Sequence, residues 1–131
     1  MTRGILLDTH VLVAHVTKTQ LLGKTSRHLL GQQRPLSYSP LSIAEMRLKE
    51  DIKQKSFLSD TVILDLNRAG YRELPLTSEA ATGITRFPSL RRHDPFDRLL
   101  LAQAAHHTLL FVTADRTLID LDLPFVHDAR Q

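Results

Sequence analysis

Residues 92–112 read RHDPFDRLLLAQAAHHTLLFV, and this stretch decides the class of fold. Asp94 followed by Pro95 is an N-cap and a first-turn proline, because proline lacks the N–H that a first turn leaves unpaired. A helix therefore starts here, with Asp97 near its third position. Residues three apart share a side of a helix, so Asp94 and Asp97 can point the same way. Leu100, Leu101, Ala104 and Ala105 supply a small-and-branched face suited to packing on a sheet. Thr108 to Val112 is then a continuous apolar run, the pattern of a strand buried on both faces. Acids in a first turn are favourable with no chemistry at all, since they face the positive end of the helix dipole. The meaning of D-P-F-D therefore depends on where the other isolated acids fall.

Working outward, the same strand-then-helix unit recurs. Gly4 to Leu7 reads as a buried parallel strand that ends at Asp8, and Val11 to Val16 begins a helix. Asp8 or Thr9 reads equally well as the cap of that helix. From Thr17 to Gly31, Leu21, Leu22, Leu29 and Leu30 fit one side of a helix, weakened by Gly23 and stopped by Gly31. Pro35 to Ser39 is a second strand. Ser42 with Glu45 three residues later is a capping box that opens the next helix. Its basic run (Arg47, Lys49, Lys53, Lys55) is a solvated face that can also hold a phosphate backbone.

Leu58, Val62, Leu66 and Ala69 recur at helical spacing until Gly70. Tyr71 to Leu76 is a third strand, which Pro75 places at an edge. Thr77-Ser78-Glu79 opens another helix. Asp115 follows the fourth strand, with the short helix TLIDL behind it, and Leu123 to Val126 is a final strand. Strands alternating with helices define an α/β fold with a mostly parallel sheet.

Composition narrows the class. The 131 residues fit a single domain, 1–131, with a real hydrophobic core. No apolar run is long enough to cross a membrane. The apolar stretch in MTRGILLDTH is too short for a signal peptide and is interrupted by Asp8. With no cysteine there is no disulfide and no thiolate metal site, which fits a cytoplasmic protein. A net charge of +3 is a mild basic bias, compatible with an anionic partner.

In a parallel sheet the strand ends converge on one edge, where ligands bind. Asp8, Glu45 and Asp115 follow strands, and Asp97 begins the helix that feeds the fourth. Four acids from four segments at one edge point to a shared site. One ionised carboxylate pair at about 4 Å costs roughly 4 kcal/mol at an effective dielectric near 20. Either some protonate or a cation neutralises them. Helix N-termini favour the ionised form and so favour the cation. All-oxygen donors suit a hard ion, Mg²⁺ or Mn²⁺.

Four blocks then carry a resemblance: ILLDTHVL, SIAEMRLK, HDPFDRLLLAQA and FVTAD. In order and spacing they resemble the PIN-domain ribonucleases, particularly the VapC-type toxins of toxin–antitoxin pairs, over nearly the whole chain. The resemblance implies a three-layer α/β/α fold with strand order 3-2-1-4-5 and metal-dependent cleavage of RNA. It also implies a VapB-like antitoxin covering the site, and frequent homodimers. Asp8, Glu45, Asp97 and Asp115 match the family's acidic positions, and Asp94 matches an extra acid of one subgroup. That subgroup's H-R-D-P-F-D-R becomes R-R-H-D-P-F-D-R here, so His93 directly precedes Asp94 and has no counterpart role to inherit.

The expected activity is that of a Mg²⁺-dependent endoribonuclease in which metal-activated water cleaves the phosphodiester. Asp8 and Asp97 are the expected metal ligands. Glu45 and Asp115 act directly or through water, and Thr9 and Thr113 orient ligands or water. Arg98 and Arg116 are RNA-binding candidates, or else balance the acids through salt bridges. The alternative is a PIN-like RNA- or partner-binding domain without catalysis. A zinc site is disfavoured because His106-His107 diverge on a helix and His10 and His15 lack ligand spacing. An aspartyl-phosphate phosphatase would want an acid where His10 stands. A phospho-receiver would want a lysine near Thr113 or Phe125.

Overall fold

The computed structural model describes residues 3–17 and 19–131. Lys18, inside the segment read as helical from Thr17, lies outside the described residues, as do Met1 and Thr2. The strands are β1 (Ile5–Leu7), β2 (Leu36–Tyr38), β3 (Tyr71–Glu73), β4 (Leu110–Thr113) and β5 (Val126–Asp128). They form one sheet in the order β3-β2-β1-β4-β5, and every pairing is parallel. Both features agree with the sequence reading, and β3 lies at the edge. The final strand is displaced: it begins at Val126, where the reading ended it, because it pairs with Phe111 to Thr113.

The helices are α1 (Thr9–Thr17), α2 (Lys24–Gly31), α3 (Pro40–Lys53), α4 (Val62–Arg68), α5 (Ser78–Thr82), α6 (Pro95–His106) and α7 (Arg116–Ile119). The alternation of side chains along β1 sorts the core into two halves. Ile5 and Leu7 pack with Val11 and Leu12 of α1, Leu30 of α2 and Leu66 of α4. Leu6 packs with Leu100, Leu101 and Ala104 of α6 and Leu118 of α7. Helices thus cover both faces, and Ile5, Leu6 and Leu7 are all fully buried. α3 packs against both α1 and α6, so it joins the two outer layers at one end of the sheet.

Three local readings change. The box at Ser42 and Glu45 is not formed, because Pro40 sets the helix start three residues earlier. Ser39 is the N-cap, its Oγ accepting from Leu41 N at 3.1 Å. Next, α4 begins only at Val62. Residues ahead of it are held otherwise, with Glu50 Oε2 accepting from Phe57 N and Leu58 N at 2.6 and 2.9 Å. Finally, α6 is buried beyond the expected stripe. Ala102 and Gln103 are enclosed as well, because α5 and the 3₁₀ turn Gly83–Thr85 pack on its second side. A Cβ at Gly83 would lie 3.3 Å from that of Ala102, so the small residues there permit the close approach.

Candidate active site

The chain leaves β1, runs outward through β2 and β3, and returns to β4 beside β1. The gap between the carboxyl ends of β1 and β4 is therefore the topological switch point, where an open α/β sheet forms a crevice. Asp8 follows β1 directly and Asp115 lies two residues beyond β4. Glu45 reaches the crevice from α3, and Asp97 from the first turn of α6. Asp8, His10, Glu45, Asp97, Ala114 and Asp115 line one cavity of about 330 Å³ there. Each of the four acids singled out from sequence reaches it.

Asp8 is the most deeply set, 4% exposed. Its Oδ2 accepts from Thr113 Oγ1 at 2.6 Å, and its Oδ1 from Thr9 N at 2.8 Å. Thr113 and Thr9 thus fix the carboxylate, and Thr9 Oγ1 in turn donates to Ser42 Oγ at 2.9 Å. Burial raises the Asp8 pKa above the ordinary carboxylate value, against the opposing hydrogen bonds from Thr113 and Thr9. Asp115 caps α7, its Oδ1 accepting from Thr117 N at 2.9 Å, and its Oδ2 is left free for the His93 ring. Thr113 Oγ1 also accepts from Asp115 N at 3.0 Å, so one hydroxyl ties both strand ends together.

Asp94 and Asp97 differ although they lie three residues apart. Asp94 is exposed and caps α6, its Oδ1 accepting from Phe96 N at 2.8 Å. Asp97 is largely enclosed. Burial, then the charges of Asp8, Asp94, Glu45 and Asp115, push its pKa up to about 7. Glu45 Oε1 is buried and has no hydrogen-bond partner. A buried carboxylate oxygen without a donor is costly unless a cation meets it. Among the described residues, Asp97, Asp115 and His93 bring ligand atoms within 4.8 Å of one another, while Asp8 and Glu45 line the same cavity outside that triad. Oxygen donors so placed, one of them orphaned, fit a divalent cation.

The arginines are placed differently from the acids. Arg98 Nη2 and Nη1 donate to the backbone oxygens of Ile84 and Arg91 at 2.9 and 3.2 Å, bracing the turn ahead of α6. Arg116 is exposed, within 3.7 Å of Asp120 and 3.8 Å of Asp128. Sequence reasoning gave no role to His93, yet its Nε2 lies 2.9 Å from Asp115 Oδ2 and 3.2 Å from Asp97 Oδ2. The spacing of four between His93 and Asp97 was the available signal; Asp115 joins them only through the tertiary fold. Ser42 and His10 were likewise invisible as site neighbours.

An all-parallel α/β domain with acids gathered at its switch point is the class these features define. The sequence matches the family model of the PIN domain over residues 5–123, and the chain belongs to that family. Among curated protein sequences, none matches it. Solved structures share the fold at low identity. A toxin–antitoxin complex from Klebsiella pneumoniae aligns with TM-score 0.64 and 15% identity, over 96% of this chain and 98% of that chain. VapBC2 from Rickettsia felis, bound to a DNA fragment from its promoter, gives 0.61 and 13%, over 93% and 94%. FitAcB from Neisseria gonorrhoeae gives 0.61 and 22%, over 95% and 97%.

Proposed function

We propose that this protein is a VapC-type toxin, a divalent-metal-dependent endoribonuclease held in check by an antitoxin. The observation that carries the reading is the meeting of Asp8, Glu45, Asp97 and Asp115 on one cavity at the β1–β4 switch point. Asp8 and Asp97 would hold the ion, Mg²⁺ or Mn²⁺, with Glu45 and Asp115 completing the acidic ring. An ion held there supplies Lewis acidity toward a phosphodiester oxygen. The protein's own residues do the rest. Thr113 and Thr9 hold the Asp8 carboxylate in one orientation. Without the ion, burial and then the neighbouring acids push the Asp97 pKa up to about 7, so binding the ion at neutral pH would displace a proton from this carboxyl.

RNA as substrate fits the basic side chains of α3. Lys49 Nζ lies 3.1 Å from Nε2 of His10, which lines the cavity, so a cation stands at the rim where a phosphate backbone would pass. A VapB-like antitoxin that covers the crevice would find a further anchor on a second surface. An apolar groove of about 630 Å³ runs between α1 and α4, lined by Val13, Val16, Phe57, Leu58, Val62 and Leu66. Val16 and Phe57 are 48% and 45% exposed there, a degree of apolar exposure that a partner's apolar segment would cover. The solved complexes aligned above are toxin–antitoxin pairs, which supports such a partner. Homodimerisation belongs to the same reading. Among the described residues, no helix is long and apolar enough to cross a membrane.

The test is cleavage of a mixed RNA substrate by purified protein, with chelator and after adding back Mg²⁺ or Mn²⁺. Cleavage that stops with chelator, returns with the ion and is absent in Asp8→Asn supports the reading. No cleavage by the wild-type protein with either ion, or full cleavage by Asp8→Asn, would refute it and leave a PIN-like binding domain.

A further inference from the structure

We infer that His93 is a nitrogen ligand of the site's ion, and that it biases the site toward first-row transition ions over Mg²⁺. The inference rests on the metal-dependent reading above and refines its donor set. His93 Nε2 lies 2.9 Å from Asp115 Oδ2 and 3.2 Å from Asp97 Oδ2, and the three ligand atoms all fall within 4.8 Å of one another. Donors 2.0–2.1 Å from one ion and at right angles to each other lie about 3 Å apart. The two distances from Nε2 match that edge. A histidine serving only as a surface base would face solvent; this side chain is 20% exposed and turned onto both carboxylates.

The local chain holds the ring there. His93 N donates to Leu90 O at 2.9 Å, closing the turn that follows the 3₁₀ segment Pro88–Leu90. Arg98 clasps the same turn through the Arg91 carbonyl at 3.2 Å. Asp94 then starts α6, which places Asp97 one helical turn beyond His93. The ligand triad is thus built by one rigid helix start plus the end of β4. As a ligand, Nε2 presents its lone pair and the ring proton sits on Nδ1. Imidazole is a poor donor for Mg²⁺, which prefers oxygen, and a good one for later first-row ions.

The experiment titrates metal-free protein with Co²⁺ and with Mg²⁺ by calorimetry, and records proton NMR of the Co²⁺ form. His93→Gln is the comparison, since its amide keeps a hydrogen-bond donor toward the carboxylates; His93→Ala is the second variant. Expected are tighter binding of Co²⁺ than of Mg²⁺ and a paramagnetically shifted, exchangeable imidazole N–H. Both variants should lose that signal and about 10–100-fold in Co²⁺ affinity, with Mg²⁺ affinity changed far less. Co²⁺ bound with no such signal, or with the same signal and affinity in both variants, overturns the inference while leaving an all-oxygen nuclease site intact. Failure of the wild-type protein to bind either ion overturns the metal-dependent reading itself.

Discussion

The crevice between β1 and β4 and the groove between α1 and α4 are opposites in chemistry. The first gathers carboxylates out of water; the second leaves apolar side chains in it. Each is a place where the folded chain is unsatisfied by itself. At the crevice, burial and then like charges raise the Asp97 pKa to about 7, and Glu45 Oε1 has no donor. At the groove, Val16 and Phe57 stay about half exposed beside a buried Leu66. The crevice asks for a cation and the groove for an apolar partner. A change at one should therefore leave the other's function in place.

The largest expected effect is at the crevice. Asp8→Asn or Asp97→Asn should lower metal-dependent RNA cleavage by about 10²-fold or more, as measured by initial rates. Circular dichroism should show the fold intact, because in Asp8→Asn the amide oxygen can keep the bond from Thr9 N while the amide NH2 donates to Thr113 Oγ1. Co-purification of the same variants with a co-expressed VapB-like antitoxin should persist, because the groove between α1 and α4 is untouched.

The groove gives the complementary result. Phe57→Asp should abolish that co-purification while cleavage stays within about twofold. The side chain is 45% exposed, so stability should move by only about 0.5 kcal/mol. Loss of cleavage in Phe57→Asp would show that the two regions are not independent.

Stability against pH gives a smaller effect with a definite sign. The folded pKa of Asp97 is raised from 3.8 to about 7, so the folded state binds the proton more tightly than the unfolded chain. Its contribution is full below about pH 4 and is lost as pH rises through about 7. Metal-free wild type should therefore lose stability across that window in denaturant titrations, and Asp97→Asn should lose less. At neutral pH the variant should be more stable by roughly 1–3 kcal/mol, a gain that saturating divalent ion should cancel by stabilising the wild type.

Asp94→Asn should do least. Asparagine caps as well as aspartate, so stability should change by a few tenths of a kcal/mol. Removing the charge should still lower the pH midpoint assigned to Asp97, since Asp94 is among the groups that raise it.

What was legible in the sequence follows from how local each signal is. β1 was readable because a strand buried on both faces must be apolar throughout, as Ile5 to Leu7 is; β5, Val126–Asp128, carries His127 and Asp128 and so lacked that signal. Asp8, Asp97 and Asp115 were readable because each stands just past a strand or inside a first turn; Glu45 was reached through a capping box that did not form, and it lies in the second turn of α3. The start of α3 was misplaced because Ser39-Pro40 and Ser42-Glu45 are competing start signals, and the earlier one engaged the backbone. That outcome freed Ser42 to meet Thr9 and left Glu45 with no cap to make. Ala102 and Gln103 looked like the outer side of α6; only tertiary packing shows that α5 and Gly83 cover it. His93 escaped because its two partners lie 4 and 22 residues away, and no local pattern joins all three.

The claim beneath all of this is that Asp8, Glu45, Asp97 and Asp115 grip a common divalent ion. Calorimetric titration of chelator-treated protein with Mn²⁺, in wild type and Asp97→Asn, tests it most directly. Saturable binding by the wild type that is largely lost in the variant is the expected result. Equal binding by both proteins, or none by the wild type, would contradict it.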